Sequence, residues 1–150
     1  MKIEDAIQQK TPFKSIWQKT VVNLIYTHNF INNRHKDLFK PYGITPQQYN
    51  VLRILRGQFP KPMSTSCIRE RMLDHMSDVS RIVDRLVKKD LVKRNVCKSD
   101  KRLVDVVIGK KGLEVLEEID NKINILDELI GNLTEQEAET LNELLDKLRE

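Results

Sequence analysis

Between Ser77 and Ile108 the hydrophobic period changes from that of a helix to that of a strand, and this switch restricts the fold more than any other feature of the chain. Val79, Ile82, Val83 and Leu86 stand at i, i+3, i+4 and i+7, while Asp78, Ser80, Arg81, Asp84, Arg85, Lys88 and Lys89 fill the other face. That pattern is an amphipathic helix with a single apolar stripe. Two β-branched runs follow, Leu91–Val96 and Leu103–Ile108, separated by the polar, basic stretch Cys97–Arg102, which reads as a hairpin with a basic tip. Upstream, Ser64 can cap a short helix carrying Ile68 and Met72. A turn at Asp74-His75-Met76 then leads to Ser77, the expected N-cap of the amphipathic helix.

Two short helices joined by a tight turn, the second with one face of Ser, Arg and Lys, meet the requirements of a helix-turn-helix. The hairpin after it makes the unit a winged helix. Longer helices are expected on both sides. Trp17, Val21, Leu24, His28, Ile31, His35 and Leu38 step by three and four along residues 13–38, up to the breaker Pro41-Tyr42-Gly43. Thr45-Pro46-Gln47-Gln48 then forms a capping box with Pro at the first helical position, so a helix starts at Pro46 and stops near Gly57; Gln58–Met63, with two prolines, reads as a loop. After the hairpin, Gly109 opens a helix with apolar positions Leu113, Leu116, Ile119, Ile123, Leu126 and Ile130. Thr134 and Glu137 box the start of a last one, carrying Leu141, Leu144, Leu145 and Leu148.

Charge is sorted along the 150 residues. Residues 1–60 carry nine Lys/Arg against three Asp/Glu, residues 61–111 fourteen against seven, and residues 112–150 three against twelve. A basic middle joined to an acidic end suggests a polyanion-binding unit attached to a part with another task, although sorting alone does not separate nucleic acid from a membrane surface. No run of about 18 apolar residues occurs, and the opening MKIEDAIQQK has no apolar signal core, so no membrane partner is expected and the cytoplasm is the expected location. Cys67 and Cys97 are too few for a disulfide framework and lack metal-ligand spacing; they read as ordinary thiols, with redox sensing the alternative. The chain has neither a phosphate-binding glycine loop nor a supported Cys-His or Ser-His pairing, so no enzyme chemistry and no cofactor are expected.

The segment Ser77-Asp78-Val79-Ser80-Arg81-Ile82-Val83-Asp84-Arg85-Leu86-Val87-Lys88-Lys89-Asp90-Leu91-Val92, followed by Asp100-Lys101-Arg102, resembles the MarR family of bacterial transcription regulators, and the resemblance extends over residues 13–148. It implies a mainly α fold with a small β-hairpin wing: a winged helix-turn-helix over residues 45–111, flanked by helical dimerisation parts at 13–38 and 112–150, in a single domain spanning 1–150. The implied function is a homodimeric, sequence-specific and ligand-responsive transcription regulator, a repressor, on a pseudo-palindromic operator in double-stranded DNA. A protein-interaction module and a low-specificity DNA-packaging protein are the alternatives. The chain departs from the family pattern at Asp90, where a Gly usually ends the recognition helix, at Gly109, usually a Thr, and at Cys67, usually acidic.

The candidate DNA-binding residues on the recognition helix are Ser77, Asp78, Ser80, Arg81, Asp84, Arg85 and Lys88. Ser77 caps, and touches DNA only through a phosphate. Arg81, in the first turn and a half, is placed for a base edge, where a guanidinium can grip guanine bidentately. For Arg85, Lys88 and Lys89 phosphate contact and a merely solvated basic face are both open. On the wing, Arg102 is the candidate for a narrow minor groove, Asp100 for orienting its guanidinium, and Lys98 and Lys101 for backbone contacts or solvated loop charges. His28 and His35 share a face seven residues apart; they read as core or interface histidines, or with Tyr49 as part of a pocket where the family resemblance implies a small aromatic effector. Trp17, Tyr26 and Tyr42 are further candidates for that pocket. A metal site is not expected, because His75 lies apart in the turn.

Overall fold

The computed structural model describes residues 1–96, 104–122 and 131–150. A short helix α1 (Ile3–Ala6), too brief to show a period in the sequence, buries Ile3 and is tied to the next helix by Glu4 and Lys19, 2.6 Å apart. Helix α2 (Ile16–Phe39) begins where Ser15 Oγ accepts the Gln18 N–H. It ends in a single 3-10 turn (Lys40–Tyr42) closed by Gly43 at φ +63°, a left-handed conformation that costs glycine little. Helix α3 (Pro46–Gln58) starts with the expected reciprocal capping box of Thr45 and Gln48. Gly57 does not stop it; Phe59 is the C-cap.

The expected loop is present at residues 59–62, but Met63 at its end starts a short strand β1 (Met63–Ser64), followed at once by α4 (Thr65–Arg71), with Ser64 Oγ accepting the Cys67 N–H. Helix α5 (Val79–Lys88) comes next, then β2 (Val92–Val96) and β3 (Val104–Ile108). The wing is thus a three-stranded antiparallel sheet in the order β1-β3-β2, with Met63 opposite Val106 and Val92 opposite Ile108. Two residues give no period to read, so β1 becomes visible only through its partner β3.

Helix α6 (Lys110–Asp120) is capped by Gly109 and stops at Asp120, short of the long helix expected to reach Ile130; Asp120 and Asn121 are both weak helix formers. Ile123, Leu126 and Ile130 lie outside the described residues. Helix α7 (Glu135–Leu148) has the expected box of Thr134 and Glu137. One core joins these elements: Phe39 from α2, Leu52 and Leu55 from α3, Ile68 from α4, Val79, Val83 and Leu86 from α5, Val106 and Ile108 from β3, and Leu116 and Ile119 from α6. The apolar stripe of α5 therefore faces inward, and its polar face is left to solvent.

Candidate nucleic-acid interface and adjoining cleft

The turn before α5 is fixed by its own side chains. Asp74 Oδ1 accepts the Met76 N–H at 3.0 Å and Asp74 Oδ2 the Ser77 hydroxyl at 2.9 Å. Ser77 is thereby used in the turn, and the N-cap is Asp78, whose Oδ1 accepts the Arg81 N–H at 3.1 Å. This corrects the expected cap by one residue: the carboxylate of Asp78 also places negative charge at the positive end of the helix. Behind the cap, Leu73 N–H donates to Asn50 Oδ1 at 2.9 Å, which ties the turn to α3.

Ser80, Arg81, Asp84, Arg85 and Lys88 are all exposed on α5. Two charged positions differ from their expected roles. Asp84 forms an ion pair with Arg94 of β2 and is not a free acceptor on the helix face. Lys89 turns inward, its Nζ donating to the Gly43 carbonyl and, at 3.0 Å, to Oε1 of Gln48. That oxygen also takes the Thr45 N–H, so the buried Gln48 amide has its acceptor satisfied twice. The helix ends with Asp90 at φ +58° and with Leu91 N–H donating to Leu86 O at 3.0 Å, so aspartate takes the left-handed position where the family pattern has glycine. On the wing, Cys97, Lys98, Asp100, Lys101 and Arg102 lie outside the described residues.

Beside this surface is a cleft of about 1080 Å³ with three walls. Helix α2 contributes His28, Ile31, Asn32, His35 and Phe39; α3 contributes Pro46, Gln47, Tyr49, Asn50 and Arg53; the turn before α5 contributes Met72 to Met76. His28, His35 and Tyr49, grouped from the sequence, do share it. His75 joins them, so all three histidines of the chain face one cavity. Tyr49 stacks on Phe39 with centroids 4.2 Å apart, and its hydroxyl accepts from Arg53 Nη1 at 3.0 Å. His35 lies 5.7 Å from the Phe39 ring, and burial holds its pKa below the ordinary 6.5. Trp17 and Tyr26 are exposed on α2 away from the cleft walls, and Tyr42 lies beneath Lys122, whose Nζ is 5.4 Å from the ring centroid. Cys67 is an exposed thiol on α4.

A sequence profile of the MarR family matches residues 42–103, the part holding the helix-turn-helix and the hairpin. The regulator MhqR of Bacillus subtilis is 27% identical over 132 residues, covering 87% of this chain and 89% of that protein. PapX of Escherichia coli is 28% identical over 143 residues, covering 94% and 87%. Among solved structures, a cysteine-to-serine variant of Escherichia coli MarR complexed with operator DNA superposes with a TM-score of 0.74 at 27% identity, over 84% of this chain and 91% of that one. AbsC of Streptomyces coelicolor, at 19% identity and TM-score 0.76 over 93% and 96%, shares the fold.

Residues 42–103, the winged-helix part of the chain, match the MarR family.

Within this MarR-like winged helix, two residues beside the candidate interface were passed over by sequence reading. Arg94 carried a signal, because the two-residue period of a strand puts it on the same side of β2 as the buried Val92, toward α5. Arg53 carried none: on α3 it reads as a solvent-facing cation, and only the packing of α3 beside α2 brings it to the cleft.

Proposed function

We propose that this MarR-family protein is a sequence-specific DNA-binding transcription regulator that acts as a homodimeric repressor on a pseudo-palindromic operator. One observation carries the reading: α5 buries Val79, Val83 and Leu86 while holding Ser80, Arg81, Arg85 and Lys88 in solvent, in a chain similar to a MarR seen on operator DNA. In a helix-turn-helix the N-terminal residues of the second helix reach base edges, so Arg81 is the base reader, with Ser80 beside it, and Arg85 and Lys88 lie where phosphates pass. From the sequence, Lys98, Lys101 and Arg102 are the further candidate DNA contacts, and Asp100 is the candidate for orienting Arg102. The cleft is the effector site. The Arg53 cation and the ring N–H donors of three histidines favour an anionic ligand, and the stacked Phe39 and Tyr49 favour a planar one. Because Leu73–Met76 form both a wall of the cleft and the entry to α5, a ligand that fits one placement of this turn better than another shifts the spacing of the two recognition helices.

Selection of duplexes from a randomised library, followed by footprinting on DNA flanking the protein's own gene, tests the reading. Arg81→Ala is expected to cost about 1–3 kcal/mol on the selected duplex and to flatten preference at one base pair per half-site. Lys88→Ala should weaken all sequences alike and lower the slope of log affinity against log salt by about 0.9 for each phosphate that is no longer neutralised. Both residues are cations, so bulk charge does not separate them. Salt-dependent binding without any sequence preference would leave a packaging protein, and no DNA binding at all an interaction module.

A further inference from the structure

Within α5, past its N-cap Asp78, Asp84 is an acid among charges that are otherwise basic, Arg81, Arg85 and Lys88. A free carboxylate there opposes every phosphate that approaches. Stability does not account for it: the side chains of Asp84 and Arg94 are 53% and 39% exposed, and ion pairs of that kind contribute little to folding. What the pair does is geometric. Arg94 is held in β2 opposite Val106 of β3, on the strand face that meets α5, and Asp84 Oδ1 receives its Nη1. A guanidinium is planar and carries five N–H donors, so anchoring one of them fixes the plane while leaving others for a second acceptor. The ion pair holds the Arg94 guanidinium against the exposed face of α5 that carries Arg81, Arg85 and Lys88, and around a helix seated in the major groove the acceptors other than base edges are phosphates.

Building on the DNA-binding reading above, we infer that Arg94 is a phosphate contact of this regulator and that Asp84 is its positioning residue, not a base reader. Asp84 could otherwise accept from a cytosine amino group, as acids on recognition helices do. The two roles make opposite demands. A base reader must present its oxygens to the groove, whereas a positioning residue must keep one on its partner.

The test uses the full-length protein and a duplex selected from a randomised library, with a scrambled duplex beside it, in titrations at several salt concentrations. Arg94→Ala is expected to weaken both duplexes by the same factor and to lower the salt slope by about 0.9 per protomer, about 1.8 for two copies. Asp84→Ala should weaken both duplexes equally and by less; in the Arg94→Ala background it should weaken neither further, because its favourable effect passes through that residue, and should instead relieve the repulsion of an unpaired carboxylate. Arg94→Lys keeps the charge and should keep the slope; it also serves if Arg94→Ala fails to fold, since Asp84→Ala is then expected to have little further effect on it. A change of preferred base on Asp84→Ala would make Asp84 a reader and overturn the inference. So would an unchanged salt slope on Arg94→Ala in a protein that otherwise binds its selected duplex. If the unaltered protein selects no duplex, the DNA-binding reading falls first and this inference with it.

Discussion

Asp78 and Ser77 are adjacent, and either could satisfy a free N–H group at the start of α5, yet only the Asp78 carboxylate accepts one from within the helix. Asp78→Ala is therefore expected to destabilise the fold by about 1 kcal/mol, the usual effect of losing an N-cap. Ser77→Ala loses a hydroxyl on an exposed turn and should cost less; urea unfolding of the two variants decides, and the reverse order would restore Ser77 as the cap. His35 gives a residue-scale dependence on pH. Its pKa is lowered by burial in the folded protein, so the unfolded chain takes up the proton first. Its share of stability is accordingly full above the ordinary pKa of 6.5 and declines as pH falls from there through the folded value. Replacing it by Gln should flatten the dependence of the urea midpoint on pH in that window, whereas parallel curves for the two proteins would exclude His35 as the cause.

At the scale of elements, Gly112 sets the distance between α6 and the segment that leaves α5. A Cβ at this position would lie 2.3 Å from the Leu91 carbonyl oxygen and 2.9 Å from Ile108 Cγ1. The Leu91 oxygen is also the acceptor of the Gly109 N–H at 2.9 Å, so backbone, and not a movable side chain, is in the way. Helix propensity alone predicts that Gly112→Ala stabilises by about 1 kcal/mol. The close approach predicts the opposite sign, a loss of about 1–3 kcal/mol, and a thermal melt distinguishes them. The same position shows where sequence reading ends. Caps, breakers and stripes are local, and Thr45 with Gln48, Thr134 with Glu137, and the stripe of α5 were legible for that reason. Close approach of Gly112 to Leu91, the pairing of Met63 with Val106, and the inward turn of Lys89 onto Gln48 depend on residues tens of positions away, and no local pattern announces them. Within the candidate site the exposed face of α5 could be read from its period, but the pairing of Asp84 with Arg94 could not be read from α5 alone.

For the whole molecule the decisive feature is apolar surface that one copy of the chain leaves uncovered. On α2, Trp17 is 77% exposed, Ile25 58% and Val21 55%; on α7, Leu148 is 62% and Leu144 60% exposed. Trp17, Val21, Leu144 and Leu148 fall on the same stripes that the helical period defined, so stripes set aside for burial are only partly buried within a single chain. The core, by contrast, is closed within one chain, where α3, α4, α5 and the sheet pack with Phe39 of α2 and with Leu116 and Ile119 of α6. A regulator of this kind must place two recognition helices roughly 34–36 Å apart. The assembly is expected to be a dimer joined through α2 and α7, and breaking it should spare the winged helix while removing tight operator binding. Light scattering of the unaltered protein should give twice the chain mass of 17.6 kDa at micromolar concentration. Trp17→Glu combined with Leu144→Glu should give a single chain mass, with helical circular dichroism largely retained and only weak, strongly salt-dependent DNA binding left, because each separated unit still neutralises phosphates but reaches only one half-site. A mass of 17.6 kDa for the unaltered protein would remove the dimer and the two-half-site operator together. A double variant that still scattered as a dimer would instead place the interface on other residues and leave the operator geometry standing.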